Sequence, residues 1–392
     1  MKKRIIRYLI HIVATLFGLL LIGLAILLSE NGAIHYGDNP AGMNWENDGP
    51  YVFFDGDSSL SLQYVQGNQD DGFYVRSRQY DADSTFNASC YVNLDSTKFD
   101  LVIDRKQIRT PPTSYDDEGR IFAVSDIESS YRTFRDLLIA HGVIDEQLQW
   151  SFGKGHLVLV GDFVDRGFST TQVLWFIYKL EQEAEKQGGK VHFIIGNHEI
   201  KNMQANFEAA SPKYAYIAYI LGRQQHELYN QQSFLGRWLA QKNTMERING
   251  YLFVHGGIHP EVAGIDLNLT EMNQLIRSKY HQGYYPKPEA SAEQLLRSTY
   301  TGPAWFRGYF KGEALSQKEV EMGLNAFEAK AVIVGHTIQS TVKRHYQGKV
   351  VGIDVQHPND YHKNWPSRES EALLIEGGRF YRALANGGKE EI

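Results

Sequence analysis

Five short apolar runs in this chain each end abruptly in a cluster of polar residues and glycines. The runs are rich in Val, Ile, Leu and Phe, as are strands buried on both faces. They cover residues 121–125, 157–160, 191–195, 252–254 and 331–334. Apolar residues at helical spacing in 133–141 and 170–187 separate the first three runs. This alternation predicts linked βαβ units and an α/β fold with a parallel sheet.

Each run leads into side chains that can bind metal ions or phosphate. The clusters are Ser125-Asp126-Ile127-Glu128, Gly161-Asp162-Phe163-Val164-Asp165-Arg166-Gly167, Gly196-Asn197-His198-Glu199, His255-Gly256-Gly257 and Gly335-His336-Thr337. Because functional groups gather at the carboxyl ends of parallel strands, we expect these side chains to meet at one edge. Together they supply carboxylate, amide and imidazole ligands, which is the donor set of a two-metal hydrolytic site.

The position of each polar residue indicates a role in such a site. Asp162 lies at the end of its strand, after Gly161, and is the natural ligand to bridge two cations. Asp126 and Glu128 occupy alternate positions after their strand, so both can point toward the first cation. The second cation would be held by three further residues, Asn197, His255 and His336.

The remaining polar residues suit the chemistry of a phosphate ester. Arg166 offers a planar fork for phosphate oxygens, and Asn197 is expected to contact the phosphate as well as a metal. His198 follows that ligand and is placed to donate a proton to a leaving group. Asp165 can hold the imidazole of His198 in the orientation that this transfer needs.

These clusters resemble the signatures of the calcineurin-like metallophosphoesterase superfamily, which are Asp-x-His, Gly-Asp-x-x-Asp-Arg-Gly, Gly-Asn-His-Glu, His-Gly-Gly and Gly-His. Four of the five appear here in the same order. The second and third look like the phosphoprotein phosphatases, and in particular their bacterial, Shewanella-like branch. The resemblance covers residues 120–385 and implies a four-layer αββα sandwich with a dinuclear site and a metal-bridging water as nucleophile.

The resemblance also implies a role for each matched residue. It makes Asp162 the bridging ligand, His198 the general acid, Asp165 its partner and Arg166 a phosphate ligand. A second arginine usually completes the phosphate clamp in this superfamily. The segment Trp305-Phe306-Arg307-Gly308-Tyr309 resembles the part of the family that carries it, so Arg307 is the candidate.

One departure from the family pattern concerns the first cation. Where the family has Asp-x-His, this chain has Asp126-Ile127-Glu128, and Ile338 stands where many members have a further histidine. The first cation then has three carboxylates and no protein nitrogen, a shell that suits Mn²⁺ or Mg²⁺ better than Zn²⁺. We expect two divalent metal ions, with Mn²⁺ favoured over Fe, Mg²⁺ or Zn²⁺. The replacement could instead abolish turnover.

The first 30 residues have the composition of a membrane segment. Four basic residues precede an apolar stretch over 8–28, which matches the roughly 20 residues that a spanning helix needs. We expect an uncleaved signal-anchor helix, with a cleaved signal peptide as the alternative. Positive-inside bias predicts a single-pass protein with a cytoplasmic N-terminus and an extracytoplasmic catalytic domain, periplasmic in a Gram-negative bacterium.

The rest of the chain divides into segments of different composition. Residues 31–50 are expected to be a tether, 51–119 a β-rich subdomain with a linker, and 120–392 the catalytic domain. Helical insertions are expected at about 200–250 and 260–310. The net charge of −6, with no basic run after the first few residues, argues against a nucleic-acid partner.

We therefore expect a hydrolase that cleaves phosphate monoesters of proteins or small molecules, since paired arginines favour a terminal phosphate. A phosphodiesterase or a dinucleoside polyphosphate hydrolase is the alternative within the enzymes. A different alternative is a non-catalytic module that binds phosphate or another ligand on a decayed phosphatase scaffold. Glu128 in place of the family histidine favours the non-catalytic module. The evidence against that module is the presence of His198, Asp165 and Arg166.

Overall fold

The structure is a computed structural model that describes residues 2–30, 32–288 and 291–392. The two helices expected between the first three strands are present, as α2 and α3. Within the described residues the α-helices are α1 (Lys2–Ser29), α2 (Tyr131–Ala140), α3 (Thr170–Lys186), α4 (Asn197–Met203), α5 (Lys213–Ile220), α6 (Phe234–Leu239), α7 (Pro260–Ala263), α8 (Leu269–Arg277), α9 (Ala292–Arg297) and α10 (Gln317–Ala326).

The strands confirm all five of the apolar runs as β8, β9, β10, β12 and β13. The strands in the first half of the chain are β1 (Ile34–Tyr36), β2 (Tyr51–Asp55), β3 (Ser59–Asn68), β4 (Gly72–Asp81), β5 (Phe86–Val92), β6 (Thr97–Ile103), β7 (Ser114–Tyr115), β8 (Ile121–Val124), β9 (His156–Val160) and β10 (Lys190–Ile194). Those in the second half are β11 (Met245–Ile248), β12 (Tyr251–Val254), β13 (Ala331–Val334), β14 (Lys343–His345), β15 (Val350–Gly352), β16 (Lys363–Trp365), β17 (Glu371–Glu376), β18 (Arg379–Leu384) and β19 (Lys389–Glu391).

The first large sheet has six strands in the order β10-β9-β8-β17-β18-β19. β8, β9 and β10 run parallel, as expected for strands joined by crossover helices, with Ala123 paired to Val158 and Val158 paired to His192. β17 then joins β8 in antiparallel fashion. The β17–β18 hairpin turns at Gly377 and Gly378, whose φ angles are 58° and 76°.

The second large sheet has six strands in the order β14-β15-β13-β12-β11-β7. β12, β13 and β15 are parallel neighbours. The motif-bearing strands are therefore divided, three in the first sheet and two in the second. Residues 245–248, within the first expected helical insertion, form β11 of this sheet and pair antiparallel with β12. The remainder of that insertion contains α5 and α6.

The two large sheets pack face to face across a shared hydrophobic core. Val158 and Ile194 enter this core from the first sheet, and Phe253 and Ile333 enter it from the second. All four are buried, and each aliphatic or aromatic side chain of this size stabilises the fold by about 1.5–3 kcal/mol. The other face of the first sheet packs with α2 and α3 in a larger core. These sheets confirm a mixed α/β architecture.

The β-rich N-terminal region forms one three-stranded sheet, β2-β3-β4, and a separate β5–β6 hairpin. It is attached to α3 by side-chain hydrogen bonds to its backbone. Nε1 of Trp175 donates to the carbonyl of Pro50 at 2.7 Å, and Nε2 of Gln172 donates to the carbonyl of Tyr91 at 3.1 Å. The region therefore braces the helix that connects β9 to β10.

The insertion at 260–310 contains α7, α8 and α9. Residues 289 and 290 of it lie outside the described residues, as does residue 31, the first of the expected tether. The described part of that tether is docked on the globular part of the chain. Asn39 donates from its backbone N–H to the carbonyl of Tyr361 and from Nδ2 to the carbonyl of Asp360, each at 2.8 Å.

The N-terminal helix stands apart from both cores. α1 has no buried residue, and it is long and apolar enough to be a membrane span or a signal sequence. The strand that follows it pairs antiparallel with β16 to form a two-stranded element that we call the ribbon. The cross-strand pairs of the ribbon are Ile34 with Trp365, His35 with Asn364, and Tyr36 with Lys363.

Candidate active site

The loops after β8, β9 and β13 hold their polar residues in an uncommon backbone conformation. Positive φ angles, between 49° and 70°, occur at Asp126, Glu128, Asp162, Asp165, Arg166 and His336. Residues other than glycine rarely adopt this left-handed region, and each sparsely populated conformation costs about 1–3 kcal/mol. Such strain persists only where the surrounding structure holds it, and it clusters at functional sites.

Hydrogen bonds connect the loops that follow β8, β9 and β10 to one another. The backbone N–H of Glu128 donates to the carbonyl of Asp162 at 3.0 Å. The carboxylate of Glu199, in the first turn of α4, accepts from the N–H groups of Gly196, Asp162 and Phe163 at 2.8–3.0 Å. This buried carboxylate therefore fixes the backbone on either side of Asp162 without contacting the centre of the site.

Asp162 lies at the centre of the site. Its Oδ2 is 3.1 Å from Nε2 of His255, and its Oδ1 accepts from the backbone N–H of His198 at 3.0 Å. Burial alone would raise the pKa of Asp162, but the imidazoles of His255 and His198 outweigh burial and hold that pKa below its usual range. Ligand atoms of Asp162, His255 and His336 all lie within 4.8 Å of one another, which is close enough to share a metal ion.

His255 is oriented by a carbonyl behind it. Its Nδ1 donates to the carbonyl of Val160 at 2.7 Å, which leaves Nε2 facing Asp162 and 3.1 Å from Oδ1 of Asn197. Burial alone would lower the pKa of His255, but the carboxylates of Asp162 and Asp126 raise it to about 10. The negative field that favours a proton on Nε2 equally favours a cation there.

A glycine is required behind this histidine. Gly161 has a φ of 80°, and a Cβ at this position would lie 2.5 Å from Nδ1 of His255 and 2.7 Å from Cα of Gly196. Any side chain would push the imidazole out of place. The glycine that precedes Asp162 in the second motif is thus explained by the close approach of β12 and the loop after β10.

His336 presents its other ring nitrogen to the site. Its Nε2 donates to the carbonyl of Trp305 at 2.9 Å, because a carbonyl oxygen can only accept. Nδ1 is therefore the acceptor on the cleft side, and Nη2 of Arg307 donates to it at 3.3 Å, so a metal ion at Nδ1 would have to displace that guanidinium. Burial lowers the pKa of His336 well below its usual range, with His255 and Arg307 acting in the same direction. A neutral imidazole is the form that binds a metal ion.

The two carboxylates of the first motif are oriented differently. Oδ2 of Asp126 accepts from the backbone N–H of His336 at 3.1 Å. Oε1 of Glu128 is 3.1 Å from Nη1 of Arg166, and its Oε2 accepts from the hydroxyl of Tyr361 at 3.4 Å. Burial raises the pKa of Asp126 to about 6 and that of Glu128 to about 7.

This donor set fits divalent cations. Asp126, Glu128 and Asp162 bring three carboxylates to one cleft, and burial, with a neighbouring carboxylate as a smaller cause, raises the pKa values of the first two. A divalent ion would supply positive charge that favours their ionised forms. Asn197, His255 and His336 add an amide oxygen and two imidazoles beside Asp162.

His198 and Asp165 form a buried hydrogen-bonded pair. Nδ1 of His198 is 2.8 Å from Oδ2 of Asp165, whose Oδ1 accepts from Nδ2 of Asn202 at 2.6 Å. Nε2 of His198 is left facing the site, 3.7 Å from Oδ2 of Asp162. Burial alone would lower the pKa of His198, but the carboxylates of Asp162 and Asp165 outweigh it and raise the pKa. The imidazole is therefore held ready to carry a proton.

Two arginines, Arg166 and Arg307, line the same cleft. The side chain of Arg166 is half exposed and is held by Glu128 alone among the nearby acidic side chains that the structure describes. Arg307 donates to the carbonyl of His336 and, from Nη1, to Oγ1 of Thr337 at 3.4 Å. Arg307 therefore couples the wall of the cleft to the loop that carries a candidate metal ligand.

The structure adds residues that sequence motifs did not single out. Asn202 lies four residues after His198 on the same helix face, a spacing that could have identified it. Tyr361 reaches Glu128 from a loop more than 200 residues away in sequence. Asp354 is buried and lines the cleft, and burial together with the charge of Asp126 raises its pKa well above its usual range. No local pattern marks Tyr361, whereas Asp354 follows β15 at the same kind of strand end as the five clusters.

Comparison with known proteins agrees with this geometry. A family profile described as calcineurin-like phosphoesterase matches residues 119–340, more than half of the chain. Shewanella-like protein phosphatase 1 of Plasmodium berghei is 27% identical over 251 residues, which cover 61% of this chain and 68% of that protein. Shewanella-like protein phosphatase 2 of Arabidopsis thaliana is 26% identical over 62% of this chain and 72% of its own length.

A solved structure is similar over nearly the whole chain. The cold-active protein-tyrosine phosphatase of a psychrophilic Shewanella species superposes with a TM-score of 0.76 and 29% identity, covering 88% of this chain and 98% of that one. The family match spans every one of the five strand-end clusters, including Asp126 at one end and His336 at the other. The chain therefore belongs to the calcineurin-like phosphoesterase family.

Proposed function

We propose that this chain is a metal-dependent phosphatase that hydrolyses phosphate monoesters. One observation carries the proposal: the ligand atoms of Asp162, His255 and His336 converge within 4.8 Å beside the hydrogen-bonded pair of His198 and Asp165. A binding protein needs the first group to hold a metal, but it has no use for a proton donor next to it. The combination supports hydrolysis.

Two divalent cations fit the donor set. Asp126, Glu128 and Asp162 would hold the first, and Asp162 would be shared with the second, whose other ligands are Asn197, His255 and His336. When bound, such cations neutralise charge on phosphoryl oxygens and lower the pKa of water. The oxygen-only first site favours Mn²⁺, with Fe, Mg²⁺ and Zn²⁺ as the alternatives.

The other polar residues would bind the phosphate and move the proton. Arg166 and Arg307 would grip the phosphate oxygens from two sides, and the amide of Asn197 would add a further contact. His198 would donate the proton on Nε2 to the leaving oxygen, while Asp165 keeps the ring in the required orientation. Asn202 would act through Asp165 and is a positioning residue.

The membrane assignment is part of the same proposal. We infer that residues 1–30 are a single-pass signal anchor with a cytoplasmic N-terminus, so that the catalytic domain, residues 120–392, is extracytoplasmic and periplasmic in a Gram-negative bacterium. Residues 31–50 would connect it to the bilayer, and 51–119 would form an accessory β-rich region. The two face-to-face sheets and their outer helices support a four-layer αββα sandwich.

The test is turnover of p-nitrophenyl phosphate by the purified full chain after chelation and re-addition of single metals. We expect activity to return with Mn²⁺ and to be faster than on bis-p-nitrophenyl phosphate. Faster cleavage of the diester would favour a phosphodiesterase or a dinucleoside polyphosphate hydrolase. Failure of every metal to restore turnover, with metal bound, would favour a non-catalytic module.

A further inference from the structure

One cleft joins the candidate active site to the end of the N-terminal helix. The cleft has a volume of about 1160 Å³. Asp162, Arg166 and His198 line it, and so do Leu27 and Glu30, at the last turn of α1. Substrate that approaches along this cleft therefore passes the point where an apolar helix leaves the globular part of the chain.

The ribbon forms a wall between the cleft and the outside. His35 and Asn364 are opposite each other and both line the cleft, with Nδ1 of His35 2.7 Å from Oδ1 of Asn364. Side chains alternate between the two faces of a strand, so the neighbouring cross-strand pairs point the other way. That outward face carries Ile34, Tyr36 and Trp365, which are 51%, 53% and 45% exposed.

The ribbon lies close to the helix end. Only four residues separate Ser29 from Ile34, and the backbone N–H of Gly32 donates to the carbonyl of Leu27 at 2.8 Å. An extended chain spans at most about 3.5 Å per residue, so Ile34 lies within roughly 18 Å of the helix end. The headgroup layer of a bilayer is about 5–8 Å thick on each side. The ribbon is thus held within about 18 Å of the helix end, a distance that allows its exposed face to reach that layer.

The chemistry of this face suits a bilayer surface. Trp and Tyr are enriched at membrane–water interfaces, where an aromatic ring meets apolar chains and its polar group meets water. Lys363 is paired with Tyr36 on the same face and offers a positive charge to lipid phosphates. Inside the cleft, Ile338 is 46% exposed and adds an apolar rim next to the catalytic side chains.

We propose that the ribbon rests on the bilayer and that the substrate is a phosphate monoester on a lipid headgroup in the same membrane. This inference rests on the proposed phosphatase function and on α1 as a membrane span. The cleft reaches the end of α1, where headgroups of the same membrane would lie, whereas a folded phosphoprotein would have to enter a gap only as deep as the short connection after α1.

The reaction is a hydrolysis that consumes only water. The oxygen of water forms a bond to phosphorus, and the bond between phosphorus and the headgroup oxygen breaks. His198 donates its proton to that oxygen, one proton of the water stays on the released phosphate, and the other restores His198. The products are a lipid alcohol, which stays in the bilayer, and inorganic phosphate.

The first experiment uses the full chain in phosphatidylcholine vesicles that contain phosphatidic acid, with Mn²⁺ present. Released phosphate is measured against two soluble esters in the same preparation, p-nitrophenyl phosphate and glycerol 3-phosphate. We expect phosphatidic acid to be hydrolysed at least about tenfold faster than glycerol 3-phosphate, since the membrane holds it at the cleft. Equal rates, or turnover of the soluble esters alone, would overturn the lipid assignment. Absence of all three activities would overturn the phosphatase function itself.

The second experiment tests the position of the ribbon directly. Among the six tryptophans, Trp365 is exposed, Trp45, Trp150, Trp175 and Trp238 are buried, and Trp305 is half-buried. Brominated lipids quench tryptophan fluorescence at short range, so we expect quenching in the native chain and its loss in Trp365→Phe. Equal quenching in both proteins would show that this face does not contact the bilayer.

A paired substitution links the ribbon to activity. We expect Ile34→Ser combined with Trp365→Ser to lower the ratio of phosphatidic acid to p-nitrophenyl phosphate turnover by about tenfold, because the cleft is no longer held on the surface. Tyr219→Ser is the matched control, since Tyr219 is an exposed aromatic residue on α5 outside the ribbon. A ratio unchanged in the ribbon variant, or lowered equally in the control, would contradict the proposal.

Discussion

His198 and Asp165 are joined by a hydrogen bond of 2.8 Å between Nδ1 and Oδ2, and both side chains are buried. The carboxylate is itself held by Asn202, so the group that orients the imidazole is fixed in place. Nε2 is the ring nitrogen that remains available. This pair distinguishes the site from one that only binds a metal.

Substitution of His198 tests the proposed acid. We expect His198→Asn to slow turnover of p-nitrophenyl phosphate by roughly 10²–10⁴, because protonation of the leaving oxygen is lost. Metal content, measured by mass spectrometry, should stay unchanged, since His198 is not among the proposed ligands. The outcome against the proposal is full activity with normal metal content. His226→Asn, at a histidine outside the cleft, is the control.

The two arginines should each contribute to phosphate binding. We expect Arg166→Ala and Arg307→Ala each to raise KM by about tenfold to a hundredfold, as the loss of a charge-assisted hydrogen bond of about 1.5–3 kcal/mol predicts. Metal occupancy is measured in the same variants, because Arg166 contacts the proposed ligand Glu128 and Arg307 contacts the proposed ligand His336. An unchanged KM in both variants, with normal metal occupancy, would contradict the phosphate clamp.

Replacement of Glu128 tests the metal preference. We expect the native chain, after chelation, to recover more activity with Mn²⁺ than with Zn²⁺, and Glu128→His to shift that preference toward Zn²⁺ by adding a nitrogen ligand. The same variant frees Arg166 from its ion pair, so KM should not rise. Glu118→His is the control at an exposed acidic residue. A native preference for Zn²⁺ would refute the oxygen-only first site.

A buried ion pair outside the site should contribute to the free energy of unfolding. Asp48 and Lys213 form it, and both are buried where the docked N-terminal segment meets α5. Asp48→Ala leaves the ammonium group buried without its partner, so we expect a loss of about 3–5 kcal/mol in the free energy of unfolding. Asp57→Ala, at an exposed carboxylate, should change it by less than about 0.5 kcal/mol. Urea denaturation measures both, and similar values would exclude a structural role for the pair.

Lowering the pH should decrease the free energy of unfolding through protonation of His357. Its Nε2 donates to the carbonyl of Ser125 at 3.1 Å, its Nδ1 has no partner among the described residues, and burial lowers its pKa to about 4. The unfolded pKa is about 6.5, so the unfolded chain takes up the proton first as the pH falls. Stability is complete above about pH 6.5 and decreases toward about pH 4, with a loss of about 2 kcal/mol near pH 5.

The control for this pH dependence is His357→Gln, which keeps a donor toward Ser125 and does not titrate. We expect its free energy of unfolding to change less than that of the native chain between about pH 7 and about pH 5. Parallel pH profiles of the two proteins, followed by urea denaturation, would assign the acid sensitivity to other groups.

Local sequence was sufficient to predict the strands that carry the site. Buried strands such as β9 read as unbroken apolar runs, and the polar residue that ends each run lies at the strand's carboxyl end, as Asp162 does. The pairing of His198 with Asp165, which are 33 residues apart, was predicted from their positions in two motifs that follow adjacent strands. Periodicity and motif identity therefore indicate both relationships.

Other relationships depend on residues that are far apart in sequence. The contact of Tyr361 with Glu128 and the pairing of Ile34 with Trp365 join segments that no local pattern connects. The orientation of Glu128 toward Arg166 depends on which loop lies above it, which composition does not reveal. The division of the motif-bearing strands between two sheets likewise depends on how β12 packs against β9.

The ribbon and the placement of β17 beside β8 both join the beginning of the catalytic chain to its end. During translation, the helix and β1 emerge long before their partners, and the strand that bears the first motif lacks its antiparallel neighbour until the last residues are made. A product cut short before residue 363 would therefore lose an inner strand of a sheet and the rim of the cleft together. The cleft of this protein can therefore be completed only after its final segment has been made.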